Sequence, residues 1–505
     1  MSTPLSSNNS PTGRLSGESQ EIYGLYKGDL GLLISAVSAP PLRRRLLHRL
    51  FYYLLTLLST IAVLVAFTAT FYPSYTHLPP HYTSLRNQVL NSNQTGRGNP
   101  RNEKIFIAAS LYDPAGELAR GSWASSLLQL ITLLGEDNVF LSIYENDSGD
   151  EGRRALQDLD ARVPCNKSII YESLDLEGLP KIVTPDGMQR VKRITYLAEA
   201  RNRALHPLDR ATTGRFDKLL YLNDVAFDPV DALQLLFSTN AAPYRAACAV
   251  DFINPFKFYD TYATRDAAGY SMGLPFFPWF SDAGSGQSRR AVLAGKDAVP
   301  VRSCWGGMVA FDARLFQNNT EIAAPPRGVA AGGSIQPPAR FRALNDTDLF
   351  WDASECCLIH ADIQASPRTE TETDREKETG IYLNPFVRVA YDTRTLSWLS
   401  TTRRLEKLYT IIHNILNHLV GLPWFNPRRE EIPGQQYQDT VFVPEAGLEG
   451  AGFFRTVQRV GRHDGFCGRP GLQVVASREG EGQEVGRKGW ETLPMPARDV
   501  LSWGL

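Results

Sequence analysis

Three hydrophobic patterns follow one another along the chain. The first is a run, residues 50–72, with no charged residue, preceded by Arg43, Arg44, Arg45 and Arg49. At about 1.5 Å per residue it makes a helix of roughly 34 Å, enough to cross a hydrocarbon core of about 30 Å. A cleaved leader would be shorter and nearer the N-terminus, so the run predicts one membrane anchor over 46–72. The basic cluster before it places residues 1–45, rich in Ser, Asn, Pro and Gly, in the cytosol as a disordered tail, and everything after the anchor in a lumen. Residues 73–101 are polar, contain Pro79-Pro80 and the sequon Asn93-Gln94-Thr95, and predict a stem. Further sequons begin at Asn166, Asn318 and Asn345.

From Lys104 the second pattern begins, in which short apolar runs alternate with amphipathic spans. Residues 105–109, 139–143, 168–171, 218–222 and 246–250 read as strands. Ser122 N-caps a helix whose Ala124, Leu127, Leu128, Ile131 and Leu134 share one face, and further helices are predicted over 150–161, 191–205 and 229–237. Strands separated by helices imply parallel βαβ units: an α/β, Rossmann-type, mostly parallel sheet flanked by helices over 102–400. The third pattern is less regular. Aromatics crowd 252–280, Pro/Gly-rich or charged loops occupy 323–340 and 366–380, and 403–420 reads as an amphipathic helix within an extension, 401–505, packed on the preceding domain.

A net charge of −1 argues against nucleic acid as a partner. All six cysteines follow the apolar run, so a lumenal location permits disulfides, although spacing selects no pairing. Adjacent Cys356 and Cys357 make a strained internal bridge, so at least one pairs elsewhere or stays buried.

Chemistry concentrates at a few points. The strand 218–222 stops at Asn223-Asp224, where an acid at a strand's carboxyl end faces the crevice of an open α/β sheet and can hold Mg²⁺ or Mn²⁺ against a diphosphate. A turn that merely ends the strand is the alternative. On helix 191–205, Arg201 falls within the apolar arc and needs an anionic partner, either a ligand phosphate or a protein carboxylate. The end of the second strand offers Glu145, Asn146, Asp147 and Ser148 to a nucleoside's ribose and base, a hydrophilic turn capping the next helix being the alternative. If Asn146 lines a pocket, its sequon should stay unmodified. In the aromatic stretch Asp251, Asp260 and Asp266 can bind sugar hydroxyls beside rings that pack on a pyranose. Segment 346–362 gathers Asp348, Asp352, Glu355, His360 and Asp362. Paired carboxylates there could serve glycosidic chemistry, and His360 could complete a metal's coordination.

YENDSGDEG, YLAEARNRAL, LLYLNDVAF, FYDTYATRDAAG, CWGGMVAFDA, SECCLIHADI and NPFVRVAYD occur in an order that resembles the fungal capsule-associated α-1,3-mannosyltransferases over about residues 100–400. The resemblance implies a GT-A-like fold, a type II Golgi membrane location, GDP-mannose as donor, a divalent metal and retention at the sugar carbon. It puts Asn223-Asp224 where such enzymes carry a DxD, with Asn223 in place of the first acid and Val225 at the third position. It also puts Arg201 and Asn202 beside the nucleotide. Within this frame Asp224 and His360 are the expected metal ligands, and Glu145, Asp147, Arg201, Asn202 and Asn223 the nucleotide-sugar contacts. Glu355 and Asp251 are the expected catalytic carboxylates, and Trp305 and Asp266 the expected contacts of a glycan acceptor. A non-catalytic lumenal factor that binds glycan or assists polymer export is the rival reading, separated by turnover of the donor.

Overall fold

Alternate residues of the central strands feed two cores, which is why these strands read as continuous apolar runs. Phe106, Ala108, Leu219 and Tyr221 point into one core, and Ile107, Ala109, Leu220 and Leu222 into the other, all fully buried. The structure is a computed structural model that describes residues 41–210, 214–241, 243–318, 337–344, 348–365, 379–444, 452–476 and 489–494. Two compact units are present, Met1–Phe67 and Thr68–Leu505.

Helix α1 (Pro41–Phe71) begins in the first unit. Its stretch Arg45–Phe71 contains an 18-residue window of mean hydropathy 2.2 and is long and apolar enough to cross a membrane. Residues 1–40 of the expected tail and the sequon at Asn345 lie outside the described residues.

The second unit starts with α2 (Pro80–Leu90), followed by β1 (Ile105–Leu111), α3 (Ser122–Leu134), β2 (Val139–Asn146), α4 (Gly149–Arg162), β3 (Asn166–Glu172), α5 (Arg193–Leu205), β4 (Lys218–Leu222), α6 (Pro229–Phe237), β5 (Ala246–Asn254), β6 (Val299–Ser303), β7 (Met308–Asp312), α7 (Glu355–Ala365), β8 (Ile381–Ala390), α8 (Thr393–Thr402) and α9 (Thr410–Val420). The sheet order is β3-β2-β1-β4-β7-β5-β8-β6, with the two-residue strands Arg265–Asp266 beyond β6 and Lys257–Phe258 against β5. Strands β1 to β4 pair in parallel, β7 runs antiparallel between β4 and β5, β8 lies parallel to β5, and β6 is antiparallel to β8. The expected mostly parallel sheet flanked by helices is therefore present.

Two expectations about its surroundings need correction. Residues 73–101 do not form a free stem. Tyr82, Leu85 and Val89, spaced three and four apart on α2, are buried, and Gln234 and Asn384 donate side-chain hydrogen bonds to the Tyr82 carbonyl and hydroxyl. That helical spacing was present in the sequence, masked by the prolines and the sequon. The amphipathic span 403–420 is not one helix either: a 3₁₀ turn, Glu406–Tyr409, separates it from α8, and Glu406 turns inward to a buried ion pair with Arg388.

The extension past 401 is tied to the sheet domain by the disulfide Cys357–Cys467, while Cys248–Cys304 joins β5 to the turn before β7. Cys165 and Cys356 remain free and buried. Closing a loop of this length removes roughly 4–5 kcal/mol of unfolded-chain entropy in the simplest model. Cys467→Ser is expected to lower the melting temperature and to expose the segment around residues 430–470 to limited proteolysis before the sheet is cut.

Candidate active site

Strand β4 stops because the next residues are held by partners outside it. The Asn223 N–H donates to the Gly307 carbonyl at 2.9 Å, and the indole N–H of Trp123 on α3 donates to the Asn223 carbonyl at 2.9 Å. Gly307 has φ of +68°, and a Cβ there would lie 2.7 Å from Val225, so glycine lets the turns before β7 and after β4 nest together. This clamp leaves Asp224 exposed at the carboxyl end of the parallel strands, the crevice position expected of an open α/β sheet.

A cavity of about 310 Å³ opens there, lined among others by Asn223, Asp224, Arg201, Asp147, Tyr196 and Trp490. Arg201 reaches it from α5. Its Nε donates to Glu355 at 3.0 Å, one terminal nitrogen donates to the Asn223 side chain at 3.1 Å, and its guanidinium lies 4.5 Å from the centre of the Trp305 ring. The carboxylate alternative for its partner is therefore realised within the protein, while the guanidinium still borders the cavity. Across the cavity Asp147 sits at a φ of +67°, accepting hydrogen bonds from Ser173 at 2.6 Å and from the Tyr196 hydroxyl at 3.1 Å. Asn146 is buried and donates to the same hydroxyl. The crowding of protein around Asp224 raises its pKa, with the Arg201 charge pulling the other way. Its carboxylate makes no ion pair among the described residues and is the one open acid at the end of β4.

Other expected site residues lie elsewhere. Glu145 points to the opposite face of β2, is 1% exposed and accepts from Ser148, whose Oγ in turn receives the Asp113 N–H. Burial pushes its carboxyl up to about 8, so it is a latch between loops and not a nucleoside contact. Asn202 clamps the backbone of Phe341 with two hydrogen bonds of 2.8 Å. Trp305 is 4% exposed beneath Arg201, and Asp266 is buried, accepting the backbone N–H groups of Ala268 and Tyr270. Neither is open to an acceptor. His360 is fully buried and stacked on Phe311. Its ring lies by the sulfurs of Cys248 and Cys304, which are bonded to each other and cannot ligate, and burial pulls its pKa down to about 3. It is not a ligand beside Asp224.

The acid cluster of 348–362 resolves into separate ion pairs: Asp348 with Arg428, Asp352 with Lys192, Glu355 with Arg201, and Asp362 with Arg342. Glu355 is 3% exposed, which corrects its reading as a catalytic carboxylate. Asp251 is also fully buried, and both its oxygens are engaged, by the Asp260 N–H and the Tyr391 hydroxyl. Burial and the neighbouring Asp260 charge raise its pKa.

Tyr391 was missed, although it is the next-to-last residue of the NPFVRVAYD motif. Burial and the charges of Asp251, Asp224 and Asp260 raise its pKa, and its ring meets Tyr259 edge-on at 4.6 Å. Tyr259 borders a second, larger groove of about 1010 Å³, lined also by Lys257, Thr261, Trp424, Phe425 and Arg469. Trp490 and Trp424 come from the extension, and nothing in the local sequence signals that they line cavities.

The structure is thus an open, mostly parallel α/β sheet whose crevice brings the Asp224 carboxylate and the Arg201 guanidinium to one cavity. The chain belongs to the family described as cryptococcal mannosyltransferase 1, whose model matches residues 104–362. Among solved structures it is similar to the mannosyltransferase PcManGT from Pyrobaculum calidifontis in complex with GDP-Man and Mn²⁺ (11% identity, 67% of this chain and 71% of that chain, TM-score 0.29). It is also similar to mannosyl-3-phosphoglycerate synthase from Rubrobacter xylanophilus (13% identity, 77% and 92%, TM-score 0.25). At these scores neither likeness bears on the roles of individual residues. A search of curated proteins found no match.

Two outcomes are expected. Glu355→Gln keeps the shape of the side chain but leaves the Arg201 guanidinium without its counter-charge, so it should cost about 3–5 kcal/mol of stability in chemical denaturation. A fall in turnover with unchanged stability would instead make Glu355 a reacting group. Peptide mass spectrometry should find glycan on at least one of the exposed Asn93, Asn166 and Asn318, and none on buried Asn146.

Proposed function

We propose that this chain is a type II Golgi membrane enzyme that transfers mannose from GDP-mannose to a mannose hydroxyl of a fungal glycan such as a capsule polysaccharide, in α-1,3 linkage and with retention. The observation that carries the reading is Asp224, an open carboxylate beyond the end of β4, in one cavity with the Arg201 guanidinium.

The residues fit a divalent cation. The Asp224 carboxylate, open to the cavity and without an ion pair among the described residues, suits Mn²⁺ or Mg²⁺, which take their remaining oxygens from diphosphate and water. Bound there, the cation would neutralise the charge that develops on the departing diphosphate. Asp224 would hold it, and Asn223 fills the DxD position of the missing acid by receiving an Arg201 hydrogen bond instead. Arg201, its guanidinium held flat by Trp305 and Glu355, would donate its remaining N–H groups to phosphate oxygens. Tyr196 and Trp490 meet edge-on at 5.4 Å beside Asp147, offering rings and an acceptor to the nucleoside. The larger groove, with Tyr259, Trp424, Lys257 and Arg469, suits the acceptor glycan.

Glu355 and Asp251 are both committed to protein partners, which favours departure and attack on the same face of the sugar. In that step the bond from the sugar carbon to the phosphate oxygen breaks, the acceptor oxygen bonds to that carbon, and the hydroxyl proton passes to the leaving phosphate.

The test is turnover of several nucleotide sugars by the purified full chain, with and without Mn²⁺. Asp224→Asn should lower the single-turnover rate by about two to four decades, roughly 3–5 kcal/mol. Asp228 accepts the Val230 N–H as the N-cap of α6, so Asp228→Asn should leave the rate intact and cost at most about 1 kcal/mol of stability. Near wild-type turnover by Asp224→Asn together with loss in Asp228→Asn would place the site on the wrong acid. GDP binding without any turnover would support the glycan-binding alternative.

A further inference from the structure

Helix α9 is built inside out. On a wheel of 100° per residue, Ile411, Ile412, Ile415, Leu419 and Val420 form one arc and Thr410, His413, Asn414, Asn417 and His418 the other. It is the apolar arc that faces solvent: Ile411 is 66% exposed, Ile415 61% and Leu419 75%, while His413 and Asn417 are buried.

The polar face is fastened to the domain by specific bonds, so the orientation is set and not accidental. Asn417 accepts the Leu274 N–H at 2.8 Å, His413 pairs through its two ring nitrogens with Arg289 and the Leu274 carbonyl, and Asn414 donates to Asp282 at 2.9 Å. Gly273 permits the approach, since a Cβ there would lie 2.7 Å from the Asn417 side chain. Turning the helix over would break these bonds and strand His413, whose pKa burial lowers to about 4.

What covers the apolar face follows from the chain itself. Only Tyr72 and Pro73 separate Phe71, the last residue of the apolar span, from Ser74, whose N–H donates to the Arg403 carbonyl at 3.0 Å. Three residues reach at most about 11 Å. From Arg403 the path to Thr410 runs through turns and a 3₁₀ helix, roughly 15 Å. Whatever angle the span takes, the tether limits the start of α9 to about 26 Å from the end of the span. Arg404 and Lys407 precede the helix, which itself carries no acid, a charge pattern suited to anionic headgroups.

The geometry points to α9 as an interfacial lipid-binding helix that lays its Ile411–Leu419 face into the headgroup boundary of the membrane holding the anchor. This rests on Arg45–Phe71 spanning that membrane, so the experiment separates the two. The full chain is reconstituted in vesicles of phosphatidylcholine and phosphatidylserine, with an environment-sensitive fluorophore on Ile415→Cys, on Leu58→Cys in the span, or on Asp158→Cys as an exposed control. Spin-labelled lipids quench in a depth-dependent way. The 415 probe should lose roughly half its emission, more to a shallow label than to a deep one, as expected for a helix about 5–10 Å into the boundary. The 58 probe should respond more to the deep label, and the 158 probe to neither. Quenching at 415 without quenching at 58 supports the lipid face while refuting the span. An unquenched 415 probe overturns the proposal, and cross-linking of two copies through Ile415→Cys without lipid quenching overturns it in favour of a second chain.

Discussion

Arg201 enters the domain from α5 and must be neutralised where it lies, because an unpaired guanidinium in the interior costs several kcal/mol. Its solution ties together four parts of the chain. Glu355 comes from the start of α7, Asn223 from the end of β4, Trp305 from the turn before β7, and Tyr221 and Phe341 add further rings around the same charge. The crevice residues therefore stand on a shared electrostatic anchor. Asp224 is adjacent to one of its arms, which is why a change at Glu355 or Trp305 bears on the cavity without touching a ligand.

The site is also a joint product of the sheet domain and the extension. Trp490 lines the smaller cavity, and Trp424, Phe425 and Arg469 line the larger groove. The disulfide Cys357–Cys467 and the arginine-acid pairs of Arg428 and Arg342 hold the extension to the segment that carries Glu355. Surface loops supplied by an appended segment can change independently of the strand ends of the sheet. The same extension presents α9, whose bonds to Arg289 and Leu274 fix its apolar face outward. Tyr259 borders the larger groove and its ring meets that of Tyr391, whose hydroxyl also feels the charge of Asp224 at the smaller cavity.

Much of this was determined by sequence alone. Period-two and continuous apolar runs yielded the strands, because a sheet covered on both faces leaves no other place for them. The uncharged run before Phe71, the acid after β4 and the arginine on an apolar helical arc were all local patterns with one dominant physical reading. The tertiary structure decided what local pattern cannot: which charge faces which. The acids of 348–362 look alike in sequence, yet each meets a different cation brought from afar, Lys192, Arg201, Arg342 or Arg428. His360 and Trp305 carry chemistry-bearing side chains that burial removes from solvent. The stem became part of the core because Tyr82, Leu85 and Val89 found α6 and β8, and α9 turned its polar side inward because Gly273 left room for it. Partners distant in sequence set the local cost of burying a charge or exposing an apolar face, and only the folded chain brings those partners together.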